Sequence, residues 1–172
     1  MLEKDTPEFF VIYDDGFNYL TKMCLTNMRE AALVMAKSAK RHGCTVIVCS
    51  SDATDQYEKY FPHGVDFVVR GEGEETLKEL LKALENASDC SLVPGVAFKE
   101  GGQTVVTERR KVMKELDHLP LPAWDLVDIL PYREIWKKYH GYFSLNIATT
   151  RGCAFKCNWC AKPIYGNRYN SR

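Results

Sequence analysis

An α/β fold built around a mainly parallel sheet is the architecture this chain predicts, and three observations carry it. Short apolar, β-branched runs alternate with segments of helical periodicity through the N-terminal half. The run Thr45-Val46-Ile47-Val48-Cys49 is apolar at consecutive positions rather than at every second one, as in a strand covered on both faces. Strand-helix units also follow one another three times, which implies parallel strands joined by right-handed crossovers.

Phe9-Phe10-Val11-Ile12-Tyr13, closed by Asp14-Asp15-Gly16, reads as a buried strand feeding a turn. From about Leu25 to Arg41, Met28, Ala31, Ala32, Met35, Ala36 and Ala39 recur at helical spacing, and Arg41-His42-Gly43 supplies basic residues and a glycine stop. After the strand at Thr45, Asp52 or Thr54 caps a short helix running through Tyr60. Val65-Asp66-Phe67-Val68-Val69 is a third strand. Gly71-Glu72-Gly73-Glu74-Glu75-Thr76 leads into a helix from Leu77 to Leu84, whose Leu77, Leu80, Leu81 and Leu84 share one face. Val96 to Lys99 and Gln103 to Val106, joined by Glu100-Gly101-Gly102, form a β-hairpin at the edge of what is then a Rossmann-like sheet. Ligands of such sheets lie beyond the carboxyl ends of the strands, here at Asp14 to Asn18, Ser50 to Thr54 and Arg70 to Glu74.

Beyond this unit (1–108) the periodicity fades. Residues 109–143 read as a connector, with Leu119-Pro120-Leu121-Pro122-Ala123-Trp124-Asp125 as an extended stretch carrying a buried aromatic anchor. Residues 144–172 begin a second domain, opening on a strand at Ser144 to Thr149, and His140-Gly141-Tyr142-Phe143 before it reads as core.

Lys plus Arg and Asp plus Glu each number 23, so no global field recruits nucleic acid or an anionic membrane. No apolar run approaches the length of a membrane span, and Met1 to Pro7 is too acidic for a secretory signal, so the expected location is cytoplasmic.

Four of the seven cysteines, Cys24, Cys44, Cys49 and Cys90, are scattered, and read as small buried hydrophobes. The other three crowd one stretch, Cys153-Ala154-Phe155-Lys156-Cys157-Asn158-Trp159-Cys160, with the spacing C-x3-C-x2-C. Thiolates clustered in this way are metal ligands, suited to iron or zinc. No fourth cysteine follows, and His42, His63, His118 and His140 are poorly placed to supply one. Three thiolates on a 4Fe-4S cluster leave one iron open, where substrate chemistry occurs. A zinc-binding interaction module completed by another ligand is the competing reading. Arg151, just ahead, either neutralises an anionic cluster or pairs with a carboxylate.

The run Thr-Arg-Gly-Cys with its C-x3-C-x-aromatic-C pattern resembles the cluster loop of the radical S-adenosylmethionine (SAM) superfamily. The resemblance implies that Cys153, Cys157 and Cys160 ligate a 4Fe-4S cluster and that Trp159 helps seat SAM. It implies further that the open iron chelates SAM, whose reductive cleavage yields a 5'-deoxyadenosyl radical. The strand, the Arg-Gly-Glu-Gly-Glu turn, the following helix, the hairpin and the Leu-Pro-x-Pro-Ala-Trp-Asp connector together resemble the cobalamin-binding radical SAM proteins over nearly the whole chain. On the residues alone the Gly71-Glu72-Gly73 turn reads as structural, since it lacks a third glycine and its glutamates repel phosphate. By the resemblance, Ser50, Ser51 and Asp52 and the turn Gly71, Glu72 and Gly73 face cobalamin. Ser50-Ser51-Asp52 stands where such domains often carry a Gly-Gly and a histidine.

The fold class expected is thus a partial Rossmann-like cobalamin-binding domain followed by the first βα unit of a radical SAM partial TIM barrel. The chain is expected to be a fragment, inactive alone, of an enzyme that transfers a methyl group to an unactivated carbon. Its expected partners are a small-molecule substrate and an electron donor such as flavodoxin or ferredoxin. A cyclisation or rearrangement, and a radical SAM RNA methylthiotransferase, are the alternatives within the superfamily; the latter wants grouped cysteines in the N-terminal domain.

Overall fold

A computed structural model describes residues 6–14, 25–145, 149–152, 155 and 169–171. Five strands form one sheet in the order β1 (Phe9–Asp14), β2 (Thr45–Ser50), β3 (Phe67–Val69), β4 (Val96–Glu100) and β5 (Gln103–Val106). β1, β2 and β3 run parallel, with Phe9 opposite Thr45 and Ile47 opposite Phe67. β4 pairs antiparallel with β3, and β5 with β4, so the expected hairpin closes the sheet edge.

Helices cover both faces of the sheet, and the residues of β2 divide between them. Val46 and Val48 pack with Ala32, Ala36 and Ala39 of α1 (Leu25–Arg41) and with Ala53 of α2 (Ser51–Gln56). Ile47 and Cys49 point the other way, into a cluster with Leu80 of α3 (Glu74–Glu85), Val69, Val96 and Phe98. The alanines of α1 let its backbone lie close to the sheet. The helix ends on Lys40 and Arg41, and Gly43 follows at φ +84°, a left-handed conformation that glycine adopts without strain. Asp66 pins the start of β2 by accepting the Val46 amide at 2.9 Å, while Lys40 Nζ donates to it at 2.7 Å.

The connector departs from expectation in three places. Its buried anchor is Leu116, 5% exposed within a 3-10 turn (Leu116–His118), whereas Trp124 is 47% exposed. A helix, α4 (Leu130–His140), also stands where no periodicity was expected, with Pro131 in its first turn and Gly141 as a left-handed C-cap at φ +78°. His140 and Tyr142 lie exposed at its end instead of in a core, on either side of the left-handed Gly141 cap.

The expected strand at 144–149 falls partly on residues 146–148, outside the described residues; Ser144, Leu145 and Thr149 are not in a strand. The ladder comes later and is antiparallel: β6 (Thr150–Gly152) pairs with β7 (Tyr169–Ser171), with Gly152 opposite Tyr169. Gly152 at φ +83° explains why β6 stops at once, since that conformation cannot continue a strand. The ladder holds residues 152 and 169 side by side, so the cysteine segment leaves and returns at one place. No helix among the described residues is long and apolar enough to cross a membrane.

Candidate functional site

The carboxyl ends of β1, β2 and β3 bring together three loops separated in sequence. Ser50 is buried and extended, and its Oγ accepts the Ala53 amide at 2.9 Å, capping α2. The sequence reading gave this cap to Asp52 or Thr54. Asp52 sits within the first turn instead, where its carboxylate accepts Arg29 Nε at 2.6 Å and the Tyr60 hydroxyl at 2.7 Å. Burial raises the Asp52 carboxyl, but the bonds from Arg29 and Tyr60 and the Arg29 charge outweigh it and hold the group below the ordinary carboxylate range. Tyr60 is pushed up to about 12 by burial and by its bond to Asp52. Ser51 is half-buried beside them.

Thr54 stitches this loop to the next. Its Oγ1 donates to the Ser50 carbonyl at 2.9 Å and accepts the Gly71 amide at 3.1 Å. Gly71 has φ +94°, a conformation that disfavours any side chain there. Gly73 is required for a different reason. A Cβ added to it would stand 2.5 Å from Cys49 Sγ and 2.8 Å from Tyr13 Cε2, so the turn rests directly on β1 and β2. Cys49 is hydrogen-bonded to Tyr13, and burial together with the nearby Glu74 charge pushes its thiol up to about 12. It is therefore a protonated packing residue. Gly73 also opens α3, with Glu74 and Glu75 in the favourable first turn.

Glu72 gathers three segments. Its carboxylate is 7% exposed, accepts the Met113 amide from the connector at 2.6 Å, and accepts Arg151 from β6 at 3.1 Å. The same Arg151 guanidinium donates to Glu74 at 3.2 Å and makes a second contact to it through its other terminal nitrogen. Of the two roles expected of Arg151, the carboxylate pairing is present; the other, beside a cluster, falls on cysteines outside the described residues. The turn and the residue just before the cysteine segment form one charge-paired unit.

The sequence-derived residues Gly71, Glu72 and Gly73 converge with Arg151, and Ser50, Ser51 and Asp52 line the adjoining loop. Cys153, Cys157, Trp159 and Cys160 lie outside the described residues, as does Cys24. Among the described residues no group of three or more His, Cys, Asp or Glu side chains could hold a metal ion. Arg29, Tyr60 and Met113 were missed by sequence reasoning, as was the bond from the Gly71 amide to Thr54. Their partners are 17 to 41 residues away except for Tyr60, and spacing carries no signal over such separations.

The mainly parallel sheet has the Rossmann-like fold of cobalamin-binding domains, and the chain is similar in sequence to cobalamin-dependent radical SAM methyltransferases and a magnesium-protoporphyrin cyclase. It is 36% identical over 108 residues to the anaerobic magnesium-protoporphyrin IX monomethyl ester cyclase of Synechocystis sp., covering 63% of this chain and 21% of that protein. It is 31% identical over 159 residues to the hopanoid C-3 methylase of Methylococcus capsulatus, covering 84% of this chain and 28% of the methylase. The match thus spans between about a fifth and somewhat over a quarter of the length of these relatives. In fold it matches OxsB, a cobalamin-dependent SAM radical enzyme, with a TM-score of 0.70 at 20% identity, over 99% of this chain and 22% of that one. It also matches the methyltransferase TsrM of Kitasatospora setae, solved with cobalamin and a [4Fe-4S] cluster, with a TM-score of 0.67 at 18% identity, over 99% of this chain and 34% of that one. No family model matches the chain.

Proposed function

We propose that this chain carries the cobalamin-facing sheet and the cluster segment of a cobalamin-dependent radical SAM enzyme that transfers a methyl group to an unactivated carbon. The observation that supports it best is the ion pairing of Arg151 with Glu72 and Glu74, which brings the start of the cysteine segment to the ligand-binding end of a parallel sheet. The donor set fits the cluster: Cys153, Cys157 and Cys160 are soft thiolates on a segment whose ends a β ladder holds together. The strand ends suit a large ring met through shape, because Asp52 is paired with Arg29, and Arg151 offsets one of the two charges of Glu72 and Glu74. When bound, the cluster, SAM and cobalamin supply radical chemistry and a methyl group.

In this reading the three cysteines hold the cluster, Trp159 helps seat SAM, and Ser50, Ser51, Asp52, Gly71, Glu72 and Gly73 form the surface that faces cobalamin. Since the side chains of Ser50, Asp52 and Glu72 are engaged within the protein, these loops meet the ring through backbone and shape. A flavodoxin or ferredoxin supplies the electron, and the substrate is a small molecule. Similarity to the cyclase favours ring closure as a second reading.

Anaerobic reconstitution with iron and sulfide, followed by hydroxocobalamin and gel filtration, tests the proposal. A brown protein that retains iron and co-elutes with cobalamin is expected. A protein that takes up zinc alone and passes cobalamin freely would overturn it.

A further inference from the structure

We infer that Arg151, Glu72 and Glu74 are positioning residues: they register the cluster segment against the cobalamin-facing turn, so that the two pieces move as one. The inference rests on the function proposed above. It draws on four features of the chain.

Arg151 is bonded to Glu72 across 79 residues of sequence and to Glu74 across 77, so the contact is tertiary. Its side chain is 13% exposed and that of Glu72 7%, which shields the pair from the solvent and salt that weaken surface ion pairs. Both carboxylates are reached from one planar guanidinium, a geometry that a lysine ammonium cannot reproduce. The pair also sits between two hinges of fixed shape: Gly152 at φ +83° turns the chain into the cysteine segment directly after Arg151, and Gly71 at φ +94° turns it out of β3 directly before Glu72.

The turn cannot shift to accommodate a displaced Arg151. Gly73 has no space between it and Cys49 or Tyr13, and the Gly71 amide is held by Thr54. Glu72 is held in addition by the Met113 amide. A rigid turn gripping a single arginine is the geometry of a register pin.

Hydrogen exchange on the whole chain, followed by mass spectrometry, tests this without any cofactor. Arg151→Gln should accelerate exchange about tenfold in both 149–152 and 70–74, while β2 and α1 remain as in the wild type. Glu72→Gln retains an acceptor for the Met113 amide but loses the charge, and should do the same. The Arg151→Gln/Glu72→Gln pair should exchange no faster than Arg151→Gln alone, because Arg151 is the shared partner of Glu72 and Glu74. Arg151→Lys should not restore protection. Acceleration confined to 149–152, or additive effects in the double variant, would overturn the inference. If Arg151→Gln loses its helical circular dichroism, Glu72→Gln and Glu74→Gln are read by the same criterion.

Hydroxocobalamin then separates this inference from the proposed function. Wild-type chain should gain protection at both 70–74 and 149–152, and Arg151→Gln at 70–74 alone. Protection of 70–74 without 149–152 in the wild type would contradict the register pin. No cobalamin-dependent protection anywhere would contradict the cobalamin reading, and leave the pin to be judged by the cofactor-free exchange.

Discussion

Gly73 lies against Cys49 so closely that a methyl group on its α-carbon would stand 2.5 Å from the sulfur. The backbone of the ligand-end turn is thus packed directly against the Cys49 side chain of the most buried strand. The same carbon would stand 2.9 Å from the Tyr13 hydroxyl, so β1 shares the contact.

Gly73→Ala should therefore destabilise the fold by roughly 1–3 kcal/mol, as overpacked sites do. Chemical denaturation of the variant checks this. A midpoint equal to that of the wild type would show that the turn lifts freely off β2.

Cys49 should resist alkylation. Its thiol is 4% exposed and pushed up to about 12 by burial and the Glu74 charge, so little thiolate forms near neutrality. Among Cys44, Cys49 and Cys90, iodoacetamide should label the half-buried Cys90 first, as read by peptide mass spectrometry. In Gly73→Ala, Cys49 labelling should accelerate.

The cluster of Arg29, Asp52 and Tyr60 should set both limbs of the pH-stability profile. Asp52 is depressed in the folded state, so its contribution is full above the ordinary carboxylate value and is lost as pH falls through the lower folded value. Tyr60 is raised to about 12, so its contribution is full below the ordinary phenol value, and is lost as pH rises through about 12. Asp52→Asn should cost roughly 1–2 kcal/mol near neutrality by removing the charge partner of a partly exposed Arg29, and should flatten the acid limb. Tyr60→Phe should flatten the alkaline limb. Denaturation midpoints across pH measure both.

Leu80→Ala should cost about 2–5 kcal/mol, because Leu80 is fully buried where α3 meets the sheet. Leu126→Ala, at a site 81% exposed, should change stability by less than about 0.5 kcal/mol. Thermal denaturation of the two variants distinguishes them.

The sheet was legible because its signal is local. Val46 to Cys49 are apolar at every position, as a two-faced strand requires, and α1 carries its alanines at helical spacing. Helix α4 was legible in principle: Pro131, basic Lys137 and Lys138, Gly141, and apolar residues at 132, 135, 136 and 139 mark it. The Pro-rich stretch ahead of it masked the pattern. Trp124 was misplaced because size suggests burial, whereas Leu116 took the available core position. The loop positions of the candidate site followed from topology, since strand ends are where such sheets bind. The partners of its side chains did not. Nothing in the sequence links Glu72 to Arg151 across 79 residues or gives Met113 a role.

Electron paramagnetic resonance of the anaerobically reconstituted, reduced chain, recorded before and after SAM, tests most directly whether the three cysteines hold a cluster with an open iron. The expected result is a 4Fe-4S signal that shifts on adding SAM and disappears in Cys157→Ala. A signal indifferent to SAM, or a protein that binds zinc and shows none, would contradict it.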